Sequence, residues 1–120
     1  MIQKVNLAEK FGMFRDYYAP RIVGQVNDMH VKLATIKGDF MWHHHENEDE
    51  MFLVVKGSLL MKLRDGDLTI NPGEFVIIPR GVEHNPCAAE ECHVLLFEPA
   101  TTLNTGNVRN EKTVENPGRI

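Results

Sequence analysis

Short apolar runs, separated by turn-forming residues at close intervals, are the feature that most limits the folds open to this chain. Asn27-Asp28, Asp65-Gly66 and Asn71-Pro72-Gly73 are turn signals, and Asp-Gly is typical of two-residue hairpins. The runs around them predict strands at residues 21–26, 29–37, 51–56, 59–64, 68–70, 75–78 and 93–98. Many short strands with closely spaced turns predict an all-β fold, a small antiparallel barrel or a double-sheet jelly roll.

One of these runs has no polar alternation. Residues 75–78 read Phe-Val-Ile-Ile. Successive side chains of a strand point to opposite sides of the sheet, so an uninterrupted apolar run presents apolar groups on both sides. This run therefore predicts a strand that is buried on both faces.

Two segments without strand character flank this pattern. Asn6, with a glutamate three residues later, has the spacing of a helix capping box. Leu7, Phe11 and Phe14 recur at helical spacing and predict a short N-terminal helix. Its apolar side chains either close one end of the domain or form a lid over a pocket. From Thr101 onward the chain is polar and irregular, which predicts a tail that follows the surface or is partly disordered.

The length and charge of the chain argue against several classes of protein. With 120 residues, one domain is expected. The formal net charge of −4 argues against nucleic acid and anionic lipid as partners, because both favour a basic surface. No apolar run approaches the roughly 18 residues of a membrane span, and the first residues lack the apolar stretch of a secretory signal. We therefore expect a cytoplasmic protein, with Cys87 and Cys92 as reduced thiols.

A histidine-rich segment carries the candidate chemistry. His43 and His45 lie two residues apart, so on an extended backbone they share a face, while His44 points the other way. Two such imidazoles can converge on one metal ion. The short polar stretch 46–49 can connect to the next strand and bring Glu50 back beside His45, where its carboxylate can reach the same ion.

A second segment supplies a fourth ligand. An apolar run leads into the turn Pro79-Arg80-Gly81, after which the chain returns at His84. The turn determines where this imidazole lies. The predicted ligand set is therefore His43, His45, Glu50 and His84.

These two segments resemble the two motifs of the cupin superfamily. The first motif, G…HxH(x)4E(x)6G, is matched by Gly38, His43, His45, Glu50 and Gly57. The second, G(x)5PxG(x)2H(x)3N, is matched by Gly73, Pro79, Gly81 and His84. The chain departs from the pattern in two places: the spacing between Gly38 and His43 is one residue shorter, and Ala88 stands where asparagine is expected. Neither departure removes a ligand.

The resemblance implies an architecture and an assembly. Cupins are small barrels of two facing sheets with the metal inside one end, so residues 1–120 are expected to form one cupin domain. Its core would span about 29–98, flanked by the N-terminal helix and the C-terminal tail. Many cupins are homodimers. The edge of the first predicted strand, 21–26, needs cover, so we expect a homodimer in which this strand pairs with, or lies against, a second chain.

The ligand types limit the metal and the chemistry. Three imidazoles and one carboxylate suit one divalent transition-metal ion, which could be iron, manganese, nickel, zinc or copper. Four protein ligands leave coordination positions for a small-molecule ligand or substrate. The expected pocket-lining residues are Met41, Phe52, Met61 and Phe97.

The sequence is compatible with two functions. The first is a metal-dependent enzyme, a dioxygenase or an isomerase or lyase, acting on a small oxygenated molecule such as a sugar derivative, a carboxylic acid or a phenolic compound. The alternative is a non-catalytic module that binds a metal or a small molecule. Cupins include both kinds of protein, so the resemblance chooses neither the substrate nor the reaction. Beyond the metal ligands, the sequence identifies no catalytic side chain.

Overall fold

The alternation of apolar and polar residues is realised as seven strands in the computed structural model, which describes all 120 residues. Helix α1 spans Leu7–Phe11. The strands are β1 Arg21–Val26, β2 Met29–Asp39, β3 Glu50–Lys56, β4 Leu59–Leu63, β5 Leu68–Ile70, β6 Phe75–Ile78 and β7 His84–Pro99. The predicted all-β class with a short N-terminal helix is confirmed. No helical segment has the length and apolar character needed to cross a membrane.

The strands pair antiparallel around β7. This strand pairs with β2, β3 and β4, whereas β1 and β6 lie at the edges and β5 pairs with β4. Strands β2 to β7 all send side chains into one interior, so the sheet curls into a barrel. The buried interior consists of Ala34, Ile36, Phe52, Val54, Leu59, Met61, Ile70, Ile78, Ala88, Cys92, Val94 and Leu96. Burying each large side chain contributes about 1.5–3 kcal/mol, so this cluster is the main apolar support of the fold.

Strand β7 is longer than the sequence predicts. The apolar run begins at residue 93, but the strand begins at His84. Its first half pairs with β4, where Leu60 faces Cys87, and its second half lies between β2 and β3. The exposed residues Glu90 and Glu91 interrupt the apolar pattern at a register shift against β2, where Ile36 faces Cys92 but Gly38 faces Ala88. Pairing with β2 resumes on the other side of this shift, so β7 is one strand although its apolar pattern is interrupted.

Strand β6 is not buried on both faces. Ile78 is buried and Val76 is half-buried on the inner side, but Phe75 is 59% exposed and Ile77 is 54% exposed. The prediction of burial on both sides is therefore wrong for the single chain. The reason is tertiary: β6 is an edge strand that pairs only with β3, and no other element of the chain lies over its outer side.

Helix α1 covers part of the outer face of the sheet. Its cap is as predicted, since the Asn6 side chain accepts a hydrogen bond from the backbone N–H of Glu9 at 3.0 Å. Phe11 and Phe14 are buried and form a small cluster with Leu33 of β2. The helix therefore neither closes the end of the barrel nor forms a lid, because its apolar side chains lie against the outside of β2.

The C-terminal tail follows the barrel and makes specific contacts. Thr102 and Thr105 are buried. The backbone N–H of Asn107 donates to the His44 carbonyl at 3.0 Å, and the His44 N–H donates to the Asn107 side chain at 2.9 Å. The tail thus lies over the end of the barrel that carries the histidine segment, and we name residues 101–116 the tail strap.

Candidate metal centre

The two motif segments are joined by backbone hydrogen bonds. His43 and His84 exchange a pair of them, at 3.0 Å and 2.9 Å, in an isolated antiparallel bridge. The N–H of Gly81 donates to the His45 carbonyl at 2.8 Å. Gly81 has a φ of +80°, a conformation that favours glycine, and it forms the turn that leads to His84. The backbone therefore places the ligands before any metal binds.

Four side chains converge at this point. His43 and His45 come from the β2–β3 connection, Glu50 is the first residue of β3, and His84 is the first residue of β7. All four are buried, and their ligand atoms lie within 4.8 Å of one another. Glu50 Oε1 is 3.3 Å from Nε2 of His45 and 3.3 Å from Nε2 of His84. The structure thus brings together the ligand set predicted from sequence, and this set could hold one metal ion.

Hydrogen bonds select the ring nitrogens that face the centre. His43 Nδ1 donates to the Met41 carbonyl at 3.0 Å, and His84 Nδ1 donates to the Val82 carbonyl at 2.9 Å. A carbonyl can only accept, so in the neutral imidazole Nε2 keeps its lone pair. Such bonds are typical of metal-binding histidines, whose second ring nitrogen is held by a neighbouring acceptor.

Several buried polar atoms at the centre have no hydrogen-bond partner. They are both ring nitrogens of His45, Nε2 of His84 and Oε1 of Glu50. The distances from Glu50 Oε1 to Nε2 of His45 and of His84 are short enough for hydrogen bonds, but the angles at these atoms are unsuitable, so no hydrogen bond forms. A buried unpaired polar atom costs about 1–3 kcal/mol. One cation at the centre would satisfy Nε2 of His45 and of His84 together with the carboxylate, so the donor set fits a divalent metal.

Two of the four ligands, His43 and Glu50, are held in the forms that bind metal. Burial, together with the neighbouring His84, lowers the pKa of His43 to about 4. Burial alone would raise the pKa of the Glu50 carboxyl, but the imidazoles of His45 and His84 outweigh it and hold this pKa below its ordinary value. Metal ligands must be deprotonated. A neutral imidazole and a charged carboxylate are therefore the states available near neutral pH.

A cavity of about 40 Å³ lies beside the centre, with His43 and Glu50 in its wall. The rest of the wall is formed by Tyr18, Pro20, Ala34, Ile36, Phe40, Phe52, Pro86, Val94, Leu96, Glu98 and Asn104. A buried water needs roughly 10–15 Å³, so the cavity can hold a few polar atoms of a bound molecule. Seven of the thirteen lining residues are hydrophobic, so the cavity combines an apolar wall with the carboxylates of Glu50 and Glu98.

A buried ion pair forms part of this wall and was missed by the sequence analysis. Lys32 Nζ lies 3.0 Å from Glu98 Oε2, and both side chains are nearly inaccessible. Glu98 Oε1 is buried without a hydrogen-bond partner. Burial and the charge of Glu50 raise the pKa of Glu98, and the Lys32 ammonium opposes this shift. The available signal was strand parity, because Lys32 and Glu98 alternate in step with the inward residues Ala34 and Leu96.

The four predicted pocket-lining residues lie in different places. Phe52 lines the cavity. Met61 is completely buried in the barrel core, and Met41 is half-buried at the tail strap, where its sulfur accepts from Asn110. Phe97 pairs with Met51 and points to the outside of the sheet. The parity of β7 corrects the prediction for Phe97, since Leu96 and Glu98 on either side of it point inward.

The remaining histidines do not join the centre. The His44 ring contacts the side chain of Glu46, on the side away from the ligands. His93 pairs with Glu91 and stacks on Phe11 at a ring separation of 4.3 Å. His30 is half-buried in β2. The position of His44 agrees with the alternation expected around His43 and His45.

The model of the Cupin_2 cupin-domain family matches residues 29–98, which is more than half of the chain. The chain is a cupin. The matched residues include all four candidate ligands and begin and end with the barrel strands β2 and β7, so the resemblance based on the two motifs is confirmed. Helix α1, strand β1 and the tail strap lie outside the match.

Known proteins resemble this cupin over most of its length. A cupin-2 domain protein from Shewanella frigidimarina has 41% identity and a TM-score of 0.78, covering 79% of this chain and 93% of that one. The uncharacterized protein YdbB of Bacillus subtilis is 32% identical over 85 residues, or 70% of this chain and 75% of its own length. The acireductone dioxygenase of Bacillus subtilis is 28% identical over 75 residues, which cover 58% of this chain but only 42% of that enzyme.

Proposed function

We propose that this cupin is a metal-dependent enzyme that acts on a small oxygenated organic molecule, with dioxygenation as the favoured reaction. One observation carries the proposal: the buried His43, His45, Glu50 and His84 cluster opens onto a cavity whose wall contains a further unpaired carboxylate oxygen, on Glu98. The similarity to acireductone dioxygenase supports oxygen chemistry in particular. Among the ions that suit these ligands, we propose iron(II), because it is the ion typical of non-haem oxygenases.

The residues around the centre would have distinct roles. The four ligands would hold the ion, which when bound supplies a Lewis acid with free coordination positions. Glu98 Oε1 would accept a hydrogen bond from a hydroxyl group of the bound molecule, while Lys32 holds the other oxygen of the same carboxylate. Ile36, Phe40 and Phe52 would exclude bulk water from the reacting groups.

A non-catalytic module that binds a metal or a small molecule is the second candidate. The size of the cavity favours it, because about 40 Å³ accommodates a few atoms rather than a whole substrate. In this case the metal would bind a small ligand without turnover. The two candidates share the metal centre and differ in whether a substrate is consumed.

Protein purified without an affinity tag and loaded with iron(II) would be tested against sugar derivatives, small carboxylic acids and phenolic compounds, with and without O₂. The proposal expects oxygen-dependent consumption of at least one compound. His45→Ala should abolish it through metal loss, and Glu98→Gln should reduce it while retaining the metal. Binding of compounds without consumption, under both conditions, would favour the non-catalytic module.

We also propose a cytoplasmic location. Cys87 and Cys92 are not joined to each other. Burial raises the pKa of the Cys92 thiol to about 11 and also raises that of Cys87, so both remain protonated and unreactive. Imaging of a fluorescent fusion in the native host would test this location, and a signal from outside the cytoplasm would contradict it.

A further inference from the structure

Two buried carboxylates face the cavity from neighbouring strands. Met51 of β3 pairs with Phe97 of β7. One step further along each strand lie Glu50 and Glu98, so their side chains are cross-strand neighbours on the inner side of the sheet. They are 4% and 1% exposed, and both line the cavity. Like charges in such positions destabilise a sheet, so each carboxylate needs a compensating group.

The chain compensates one of the two carboxylates itself. Lys32 Nζ donates to Glu98 Oε2 at 3.0 Å and lies 3.5 Å from the Thr102 carbonyl oxygen. Lys32 is 2% exposed, so both charges of the pair are removed from water. A buried ion pair of this kind adds little stability, because the loss of hydration offsets the attraction. Stability alone therefore does not account for the pair, which leaves its place in the cavity wall as the informative feature.

The second oxygen of Glu98 lacks a donor. Oε1 is buried and accepts no hydrogen bond, and Glu98 is not one of the four clustered metal-ligand residues. Lys32 holds Oε2 and thereby fixes the orientation of the carboxylate. A buried acceptor without a donor is costly, and a molecule bound in the cavity can supply the donor. The missing partner of Oε1 is therefore a hydrogen-bond donor on a ligand.

The charges around the cavity favour a ligand with one negative charge. With neutral imidazoles, a divalent ion and Lys32 would contribute three positive charges, and Glu50 and Glu98 two negative ones. One positive charge would then remain uncompensated in the interior of the barrel, which is costly. A monoanion completes the balance, whereas a neutral ligand does not.

Strand spacing and cavity volume limit the size of this ligand. Cross-strand neighbours have Cβ atoms about 4.5–5.5 Å apart. A molecule that reaches both the metal centre and Glu98 therefore carries its two polar groups on neighbouring carbon atoms. The cavity of about 40 Å³ corresponds to about three buried waters. Among sugar derivatives, phenolic compounds and carboxylic acids, only a small carboxylic acid has this size and charge.

We propose that Glu98, positioned by Lys32, selects a small 2-hydroxycarboxylate as the ligand of this cavity. The carboxylate of the ligand faces the metal centre, and its hydroxyl group donates to Glu98 Oε1. Glu98 is then the residue that determines specificity, and Lys32 is a positioning residue. The inference rests on the proposed binding of an oxygenated molecule at the metal centre and is independent of turnover.

Calorimetric titration of the zinc-loaded full chain tests the selection, because zinc has no redox chemistry and binding is measured without oxidation. The probes are glycolate, methoxyacetate and ethylene glycol. Methoxyacetate keeps the charge but lacks the hydroxyl donor, and ethylene glycol keeps hydroxyl groups but lacks the charge. We expect glycolate to bind at least about tenfold more tightly than either, since a hydrogen bond to a charged acceptor is among the stronger ones.

Glu98→Gln isolates the hydrogen bond. Lys32 can only donate, so the new amide turns its oxygen to Lys32 and its NH₂ group to the cavity, where a donor then replaces an acceptor. The ratio of glycolate to methoxyacetate affinity should fall at least about fivefold. Both probes carry one negative charge, so the lost charge acts on them equally. Glu91→Gln is the matched control, an exposed carboxylate on the same strand outside the cavity, and should keep the ratio.

A second variant covers the case in which Glu98→Gln does not fold. Lys32→Met combined with Glu98→Leu replaces the whole ion pair by apolar side chains of similar volume and should lower the ratio as well. The inference is overturned by equal affinities of the wild type for the three probes, or by a ratio that these variants leave unchanged. Zinc loss from Glu98→Gln, measured by elemental analysis, would also overturn it, since Glu98 would then act in metal binding. Absence of turnover with iron(II) would count against the proposed enzyme but not against this selection.

Discussion

At the scale of single residues, one hydrogen bond per ring determines which nitrogen is available to a metal. His43 and His84 each donate Nδ1–H to a backbone carbonyl and so present Nε2 to the centre. Both carbonyls lie two residues before the histidine concerned, on Met41 and Val82. The orientation is therefore set by the local backbone, and a metal would find the ligands already in place.

Metal content should follow the alternation of the histidine segment. His45→Ala and His84→Ala each remove one of four converging ligands, and we expect bound metal to fall at least about tenfold. His44→Ala is the matched control, because its ring contacts Glu46 and not the centre. Elemental analysis after dialysis against a limiting metal concentration measures all three. A comparable loss in His44→Ala would mean that the ligand register is wrong.

The stability of the metal-free protein should fall in mild acid because of His43. Its pKa is about 4 in the folded state and about 6.5 in the unfolded chain. Between these values the unfolded state binds more protons, so the free energy of unfolding decreases as the pH falls from about 6.5 to about 4. Two and a half pKa units correspond to about 3 kcal/mol.

Urea unfolding of metal-free protein at pH 7.5, 6 and 5 measures this dependence. Above about pH 6.5 the contribution is fully present and should not change. His43→Leu removes the titrating group and should flatten the difference between pH 6 and pH 5. If wild type and His43→Leu show the same slope, the dependence arises from other groups.

At the scale of elements, the tail strap supports the metal centre from outside. Gly106 has a φ of +58°, and a Cβ at this position would lie 2.2 Å from the His44 carbonyl oxygen and 3.1 Å from Cδ2 of His43. Such close approach of two backbones requires glycine. The tail strap and the histidine segment are thus in direct contact, although they are far apart in sequence.

Gly106→Ala should weaken both the fold and the site. We expect a loss of about 1–2 kcal/mol from the left-handed conformation, with a further loss from the clash, which pushes the strap away from His43 and His44. Metal affinity should fall as well. The matched control is Gly73→Ala, where φ is +84° but a Cβ meets nothing within 4 Å.

Urea unfolding and metal titration of the two glycine variants separate the effects. Gly73→Ala should lose stability through its backbone conformation alone and should keep the wild-type metal affinity. An unchanged affinity in Gly106→Ala would show that the strap covers the site without supporting it.

At the scale of the whole molecule, the metal centre and the apolar core are separate sources of stability. The twelve residues of the buried interior include none of the four ligands. We therefore expect the barrel to fold without a metal, and a metal that binds only the folded state to add stability through the binding equilibrium.

Chelation should lower the melting temperature and leave the barrel folded. A metal at a hundredfold excess over its Kd contributes about 2.7 kcal/mol, which corresponds to a shift of several degrees for a domain of this size. Thermal unfolding by circular dichroism, with and without a chelator, measures the shift. Loss of the β-sheet signal on chelation at room temperature would identify the metal as essential for folding.

The sequence by itself determined the features that depend on neighbouring residues. Alternation and turn residues predicted the strands, the Asn6 cap predicted the helix, and the spacing of His43, His45, Glu50 and His84 predicted the ligand set. Each follows from local geometry: a period of two along a strand, a hydrogen bond across three residues, or a fixed turn before a ligand.

Only the tertiary structure decided how these elements cover one another. In the folded chain β7 continues through a polar stretch and the Phe97 side chain points outward. Phe75 and Ile77 are exposed, and Gly106 lies against His44. Lys32 also pairs with Glu98 across two strands. These outcomes depend on which strands become neighbours and on which face another element covers. Such contacts join residues far apart in the chain, and no local pattern of polarity contains them.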